Sequence, residues 1–219
     1  MTFSNNFYFN HLNKIMKSIL FTVPHAYCVD NNIRDCDRVA LPIMNMLTQE
    51  LVKQKNIILK SFQSDKLRSV IDMNRNVSRQ ESFRQNITTY IKNNKVHLCV
   101  DIHSFPAEYY AFGGVAPPFY FLYNLKSMPS FINELLNTIK INTTILSGIY
   151  KDSNPQVYLG TSKYNEISKN FSETNDILDE MIENNIPAFL IEFNENLLSN
   201  RTQLDELVRV IAQAIGNVY

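Results

Sequence analysis

Along the chain, short continuous apolar runs alternate with longer stretches in which apolar residues recur every three or four positions. Ser18-Ile-Leu-Phe-Thr-Val23 is a run of the first kind, stopped by Pro24, and predicts a strand. From Val39 to Val52 the second pattern takes over, with Val39, Ile43, Met46, Leu47 and Leu51 at helical spacing. Asn56 to Phe62 predicts a second strand, Ser82 to Lys92 a helix, His97 to Ile102 a buried strand, and Phe119 to Tyr123 an aromatic fourth. Ser130 to Lys140 predicts a helix and Thr143 to Ile149 a strand. Ser172 to Asn184 has helical periodicity, with Ser172 placed to cap its start. Ala188-Phe-Leu-Ile-Glu-Phe193 is the most sharply defined strand, and Gln203 to Ile215 an amphipathic closing helix.

Strands that are apolar throughout, rather than at every second position, are covered on both sides. The pattern therefore predicts an α/β fold with a mostly parallel, mixed central sheet and helices on both faces. No repeat, low-complexity linker or change of composition divides the chain, so residues 1–219 are expected to form one domain.

Composition narrows the function. Hydrophobic residues at 45% and charged residues at 19% suit a packed core and exclude a disordered chain. Twenty-one basic and 21 acidic residues cancel, which argues against a general nucleic-acid partner. There are five glycines and no GxGxxG or GxxxxGK[ST], so the common nucleotide cradles are not expected. No run approaches the ~20 apolar residues of a membrane span, and Met1 to Lys17 lacks a signal-peptide core. Three cysteines (Cys28, Cys36, Cys99) without CxxC spacing predict neither a disulfide scaffold nor a zinc finger, and point to a reducing compartment. The expectation is a cytoplasmic protein with no membrane partner.

Sheets of this class gather their chemistry at the carboxyl ends of strands. Three such ends carry unusual polar residues: Val23-Pro-His25, Asp101-Ile-His103-Ser104, and Glu192 within Leu190-Ile-Glu-Phe193. Singly, each histidine is more simply a turn residue bonded to nearby backbone; as a pair they suit two imidazole ligands to zinc. Asp101 leaves its strand on the same side as His103 and suits an acceptor that orients the ring. A third ligand would come from Asp35 or Asp37, with Asp30 and Cys28 behind them, although this acidic pair equally suits capping of the helix that follows. Arg68, Asn74 and Arg75 could clamp a substrate carboxylate, or could form a surface turn with Asp72. Glu192 interrupts an apolar strand. It is either an exposed residue of an edge strand or a general base beside an acidified water.

Pro24-His25, Asp35-Cys-Asp37, Arg68 with Asp72-Met-Asn-Arg75, Asp101-Ile-His-Ser104 and Ile186-Pro-Ala-Phe-Leu-Ile-Glu192 occur in the order of the N-formylglutamate amidohydrolases, which the chain resembles over nearly its whole length. The resemblance implies a zinc-carboxypeptidase-like fold and a zinc-dependent hydrolase of an N-acyl amino acid such as N-formylglutamate. A metallo-carboxypeptidase or γ-glutamyl peptidase with the same machinery is the alternative, and a non-catalytic binding module a third possibility. Carried onto this chain, the resemblance implies Zn2+ on His25, His103 and Asp37, with Asp35 in reserve. It implies Asn74 and Arg75 on the free carboxylate of a small-molecule or short-peptide substrate, Arg68 on the scissile carbonyl, and Glu192 as base. Ala26-Tyr27 and Phe193-Asn194-Glu195 depart from the family pattern.

Overall fold

The computed structural model describes residues 16–29, 36–54, 56–106, 119–123, 134, 156–161, 164–165 and 175–218. Seven strands form one sheet: β1 (Lys17–Val23), β2 (Ile57–Gln63), β3 (Leu98–Phe105), β4 (Phe119–Tyr123), β5 (Gln156–Thr161), β6 (Tyr164–Asn165) and β7 (Ala188–Asn194), in the order β2-β1-β3-β7-β4-β5-β6. The first four in that order are mutually parallel, β4 runs antiparallel to β7, and β5 and β6 extend the sheet beyond it. Helices α1 (Ala40–Leu51), α2 (Ser82–Asn93), α3 (Asp176–Glu183) and α4 (Arg201–Val218) cover it.

The pleat sorts the strand residues between two cores. Ile19, Phe21 and Val23 of β1, Leu98, Val100 and Ile102 of β3, and Phe189, Ile191 and Phe193 of β7 pack with α1 and α4. Their alternates Leu20, Cys99, Ala188 and Leu190 pack with Phe83, Ile87 and Ile91 of α2 and Ile177, Leu178 and Met181 of α3. This two-sided burial is why the strands read as unbroken apolar runs. The chain leaves β1 toward β2 through α1 and returns to β3, on the other side of β1, through α2. The point between the carboxyl ends of β1 and β3 is thus a topological switch, the place where open α/β sheets bind their ligands.

Most predicted elements are found with ends shifted by a residue or two. Four differences bear on function. First, β3 continues to Phe105, so His103 lies inside the strand rather than beyond it, because the ladder to β7 holds through Phe105 opposite Asn194. Second, β7 lies between β3 and β4, which removes the edge-strand explanation of Glu192. Third, α3 starts at Asp176, and its cap is Asn175, whose Oδ1 accepts from Leu178 N at 2.9 Å; Ser172 lies outside the described residues. Fourth, Cys28 and Cys36 form a disulfide, against expectation. Beside them Asp37 N donates to His25 O at 3.0 Å, which holds the two segments together. With it goes the cysteine argument for a reducing compartment. The predicted helix 130–140 and strand 143–149, and Asp30 and Asp35, lie outside the described residues. Strands β5 and β6 were not anticipated. No described helix is long and apolar enough to cross a membrane.

Candidate metal centre and active site

His25 follows β1, His103 lies in β3, and Asp37 precedes α1; the topology brings all three to the switch point. One donor atom from each lies within 4.8 Å of the others, and all three residues are buried. The ring nitrogens are sorted. His25 Nδ1 is 3.2 Å and His103 Nδ1 2.8 Å from Asp37 Oδ2, so the three face one another. The opposite nitrogens point outward to carboxylates: His25 Nε2 is 2.8 Å from Asp72 Oδ1, and His103 Nε2 is 3.0 Å from Asp101 Oδ2. The rings stand edge to face, 5.0 Å between centroids.

Both outward carboxylates are themselves held. Thr22 Oγ1 donates to Asp101 Oδ1 at 2.5 Å, and Asn175 Nδ2 donates to Asp101 Oδ2 at 3.1 Å. Thr22 sits opposite Asp101 in the β1–β3 ladder, so the sheet register aims this acceptor. Asp72 Oδ1 also accepts from Asn74 N at 3.0 Å, while its Oδ2 lies 3.4 Å from Arg68 Nε and 3.3 Å from Arg75 Nε.

The charges follow from these contacts. Burial opposes an imidazolium at His103, but Asp101 and Asp37 outweigh it and hold the ring well above its ordinary value. At His25 burial is likewise overcome, by Asp37 and Asp72. Burial would raise Asp37, yet His25 and His103 hold it far below the usual carboxylate range; Asp72 is depressed in the same way by His25 and Arg68. Glu192 behaves oppositely. It lies opposite His103 in the β3–β7 ladder, and burial pushes its carboxyl up to about 7 against the pull of His103.

This donor set suits zinc. Two imidazole nitrogens and one carboxylate oxygen converge, each imidazole has its other nitrogen on a carboxylate, and three protein ligands leave a position for water. Asn74 is buried, and its carboxamide nitrogen is placed 2.9 Å from His103 Nε2, while its Oδ1 has no partner among the described residues. Exchanging the two amide atoms turns the oxygen to the ring as acceptor and leaves the NH2 as the unpartnered group. Arg68 and Arg75 flank Asp72 on the same loop.

Asp72 is the functional residue that the sequence did not single out. Its signal was one carboxylate with arginines at i−4 and i+3, which looks identical to a surface turn until His25 is seen to arrive from β1. Asp37 suits either a helix cap or, as the resemblance implies, a third ligand. Its carboxylate faces the histidines, and the entry of α1 is satisfied from elsewhere: Arg38 N donates to Glu195 Oε1 at 3.0 Å and Val39 N to Ser104 Oγ at 3.4 Å.

No protein-family model matches the chain, and no curated protein matches its sequence. Solved structures do. An N-acetylmuramoyl-L-alanine amidase from Clostridium difficile 630 is 17% identical with a TM-score of 0.56, and the match covers 91% of this chain and 94% of that one. An N-formylglutamate amidohydrolase from Ralstonia eutropha JMP134 is 9% identical with a TM-score of 0.55, covering 94% and 97%. A metallo-carboxypeptidase from Burkholderia cenocepacia is 10% identical with a TM-score of 0.57, covering 94% of this chain and 57% of that one. Identities this low speak for the fold alone, and the fold they share with this chain is the zinc-carboxypeptidase-like one.

Proposed function

We propose that the chain is a zinc-dependent hydrolase, a single catalytic domain over residues 1–219, that cleaves the amide bond of an N-acyl amino acid such as N-formylglutamate. The observation that carries this is the convergence of His25 Nδ1, His103 Nδ1 and Asp37 Oδ2, with Glu192 on the adjacent strand opposite His103. His25, His103 and Asp37 would hold the zinc, which when bound supplies Lewis acidity toward a water and an amide carbonyl.

The chain's own residues supply the remainder. Glu192, poised by burial near neutrality, takes the proton of the attacking water and passes it to the leaving nitrogen. Arg68 donates to the oxygen on which negative charge develops. Arg75 forks onto the substrate carboxylate, and the unpartnered NH2 of Asn74 is a second donor toward it. Asp72 and Asp101 keep the Nε2 protons of the two histidines, which fixes the tautomer that leaves Nδ1 free to ligate. Peptide or γ-glutamyl bonds are alternatives for the same machinery. The N-acetylmuramoyl-L-alanine amidase likeness, which spans nearly all of both chains, adds an N-acetylmuramoyl–L-alanine amide, itself an N-acyl amino acid linkage.

The test is metal content of the purified protein together with hydrolysis of a panel: N-formyl and N-acetyl amino acids, a γ-glutamyl peptide, a C-terminally free peptide and a muramoyl peptide. Glu192→Gln keeps the shape and cannot take the proton, so kcat should fall ~10²–10⁴-fold with metal content unchanged. The base must be deprotonated, so the wild-type rate should rise with pH along an acidic limb near the value of about 7 to which burial pushes Glu192. That limb should vanish in the variant. Near-normal turnover by Glu192→Gln would remove the base from the mechanism.

A further inference from the structure

A carboxylate three residues ahead of a helix has a strong local alternative. It can turn back and accept from the first N–H groups of the helix, as aspartates at helix entries commonly do. Asp37 is such a residue, with α1 starting at Ala40, yet its carboxylate lies against both histidines. Something else must therefore satisfy the helix entry. Val39, at the N-cap, offers no side-chain acceptor.

The substitute comes from two other segments of the site. Glu195 Oε1 accepts from Arg38 N and from Ser104 Oγ, both at 3.0 Å, and Ser104 Oγ in turn accepts from Val39 N at 3.4 Å. Ser104 is the residue after His103, and Glu195 follows Glu192 by three positions at the end of β7. Ser104 points to the α1 face of the sheet because His103 points to the other, so the pleat delivers both functions from neighbouring residues. One carboxylate oxygen thus joins the segments that carry His103, Glu192 and Asp37.

We propose that Glu195 is a positioning residue for the metal centre: by capping the entry of α1 together with Ser104, it releases the Asp37 carboxylate from that duty and fixes it toward His25 and His103. The proposal rests on Asp37 being a metal ligand. Without Glu195, Arg38 N and Ser104 Oγ lose their shared acceptor. The Asp37 carboxylate, next in sequence to Arg38, is then a competing acceptor for that entry, and it cannot cap the helix and ligate a metal at once.

The experiment is competition for Zn2+ between the full-length protein and a chelator, with the visible spectrum of the Co2+ form as a report of ligand geometry. Glu195→Ala should weaken Zn2+ binding ~10-fold, the lower end of what outer-shell losses cost, and should alter the Co2+ spectrum. Glu195→Gln keeps a carbonyl oxygen for both donors and should bind Zn2+ nearly as wild type. Leu51→Ala, at the far end of the same helix, should lower Tm and leave affinity unchanged, which separates positioning from loss of stability. Wild-type affinity in Glu195→Ala would overturn the proposal, and so would Glu195→Gln as weak as Glu195→Ala, which would show an effect of charge alone. Asp37→Asn tests the underlying assignment separately. Unaltered Zn2+ binding in that variant would remove Asp37 as a ligand, whatever Glu195 does.

Discussion

Replacing Asp72 by alanine removes the acceptor that orients His25 without touching any of the three proposed ligands. Asp72 Oδ1 takes the His25 Nε2 proton at 2.8 Å and the Asn74 N proton at 3.0 Å, and Asp72 is largely buried. A hydrogen bond to a charged group in such a place contributes ~1.5–3 kcal/mol. The contacts of Oδ2 with Arg68 and Arg75 are longer, at 3.4 and 3.3 Å, and involve partly exposed arginines, so each adds less than ~1 kcal/mol. The metal should feel the first of these most. Loss of a carboxylate behind a ligating histidine typically costs 10–100-fold in affinity, or ~1.4–2.8 kcal/mol. Asp72→Asn keeps an oxygen at the same place but gives up the charge, and should fall between wild type and alanine. The assay is Zn2+ competition at fixed pH, with unfolding of the metal-free form measured in parallel. If Asp72→Ala binds Zn2+ as tightly as wild type, His25 is positioned by something other than Asp72, or does not ligate.

Three other outcomes follow from the same geometry. Arg75→Ala should weaken substrates with a free carboxylate by ~1.5–3 kcal/mol in kcat/KM and leave an amidated analogue nearly unaffected; equal losses on both would make Arg75 structural. The metal-free protein should be most stable in mild acid. His25 and His103 are raised above 6.5, so their contribution is complete below that value and disappears as pH climbs, whereas Asp37 and Asp72 are lowered from 3.8 and lose theirs in stronger acid. A Tm that rises between pH 6.5 and 9 without metal would contradict this assignment. Arg84 is fully buried and donates to Asp176 Oδ2 at 2.8 Å, Glu180 Oε2 at 2.6 Å and Met73 O at 3.1 Å. Arg84→Met should cost ~3 kcal/mol in denaturant unfolding, at the lower end for a broken buried pair because Arg79 still holds Asp176; a loss below ~1 kcal/mol would refute it.

What the sequence disclosed was whatever one segment decides by itself. Burial on both faces writes continuous apolar runs, so the four parallel strands and the helices covering them were legible. The two histidines stood out because each follows or interrupts such a run. What depended on several segments was not legible. Ala188 to Phe193 has the same letters whether the strand is central or at the edge, and only its pairing with β3 and β4 on either side decides that Glu192 faces the site. Cys28 and Cys36 match no spacing rule, and the bond from Asp37 N to His25 O holds the segments that carry them side by side. Asp72, Asn175 and Glu195 act through partners 47, 74 and 157 positions away, respectively. No local pattern marks such a partner.

The charges at the switch point also bear on how one arrangement would serve the protein with and without the proposed metal. Without metal, Asp37 lies between two imidazole rings whose neighbours favour the protonated form, so two protons offset part of the negative charge of Asp37, Asp72 and Asp101. A divalent cation carries the same charge as the two Nδ1 protons it would replace. The Nε2 protons stay where they are, on Asp72 and Asp101. The outer carboxylates therefore face the same total charge in either state, and neither they nor Asn175 and Thr22 behind Asp101 need to move. Proton release on metal uptake is the direct consequence, and it ties affinity to pH in the sense opposite to the stability of the metal-free chain. Acid favours the protonated cluster, and alkali favours the metal. Glu192 stands outside this exchange. Its carboxyl is raised by burial and lowered by the positive charge of the cluster, which is the same for two protons as for a divalent cation, so the exchange leaves the ionisation of the base as it was.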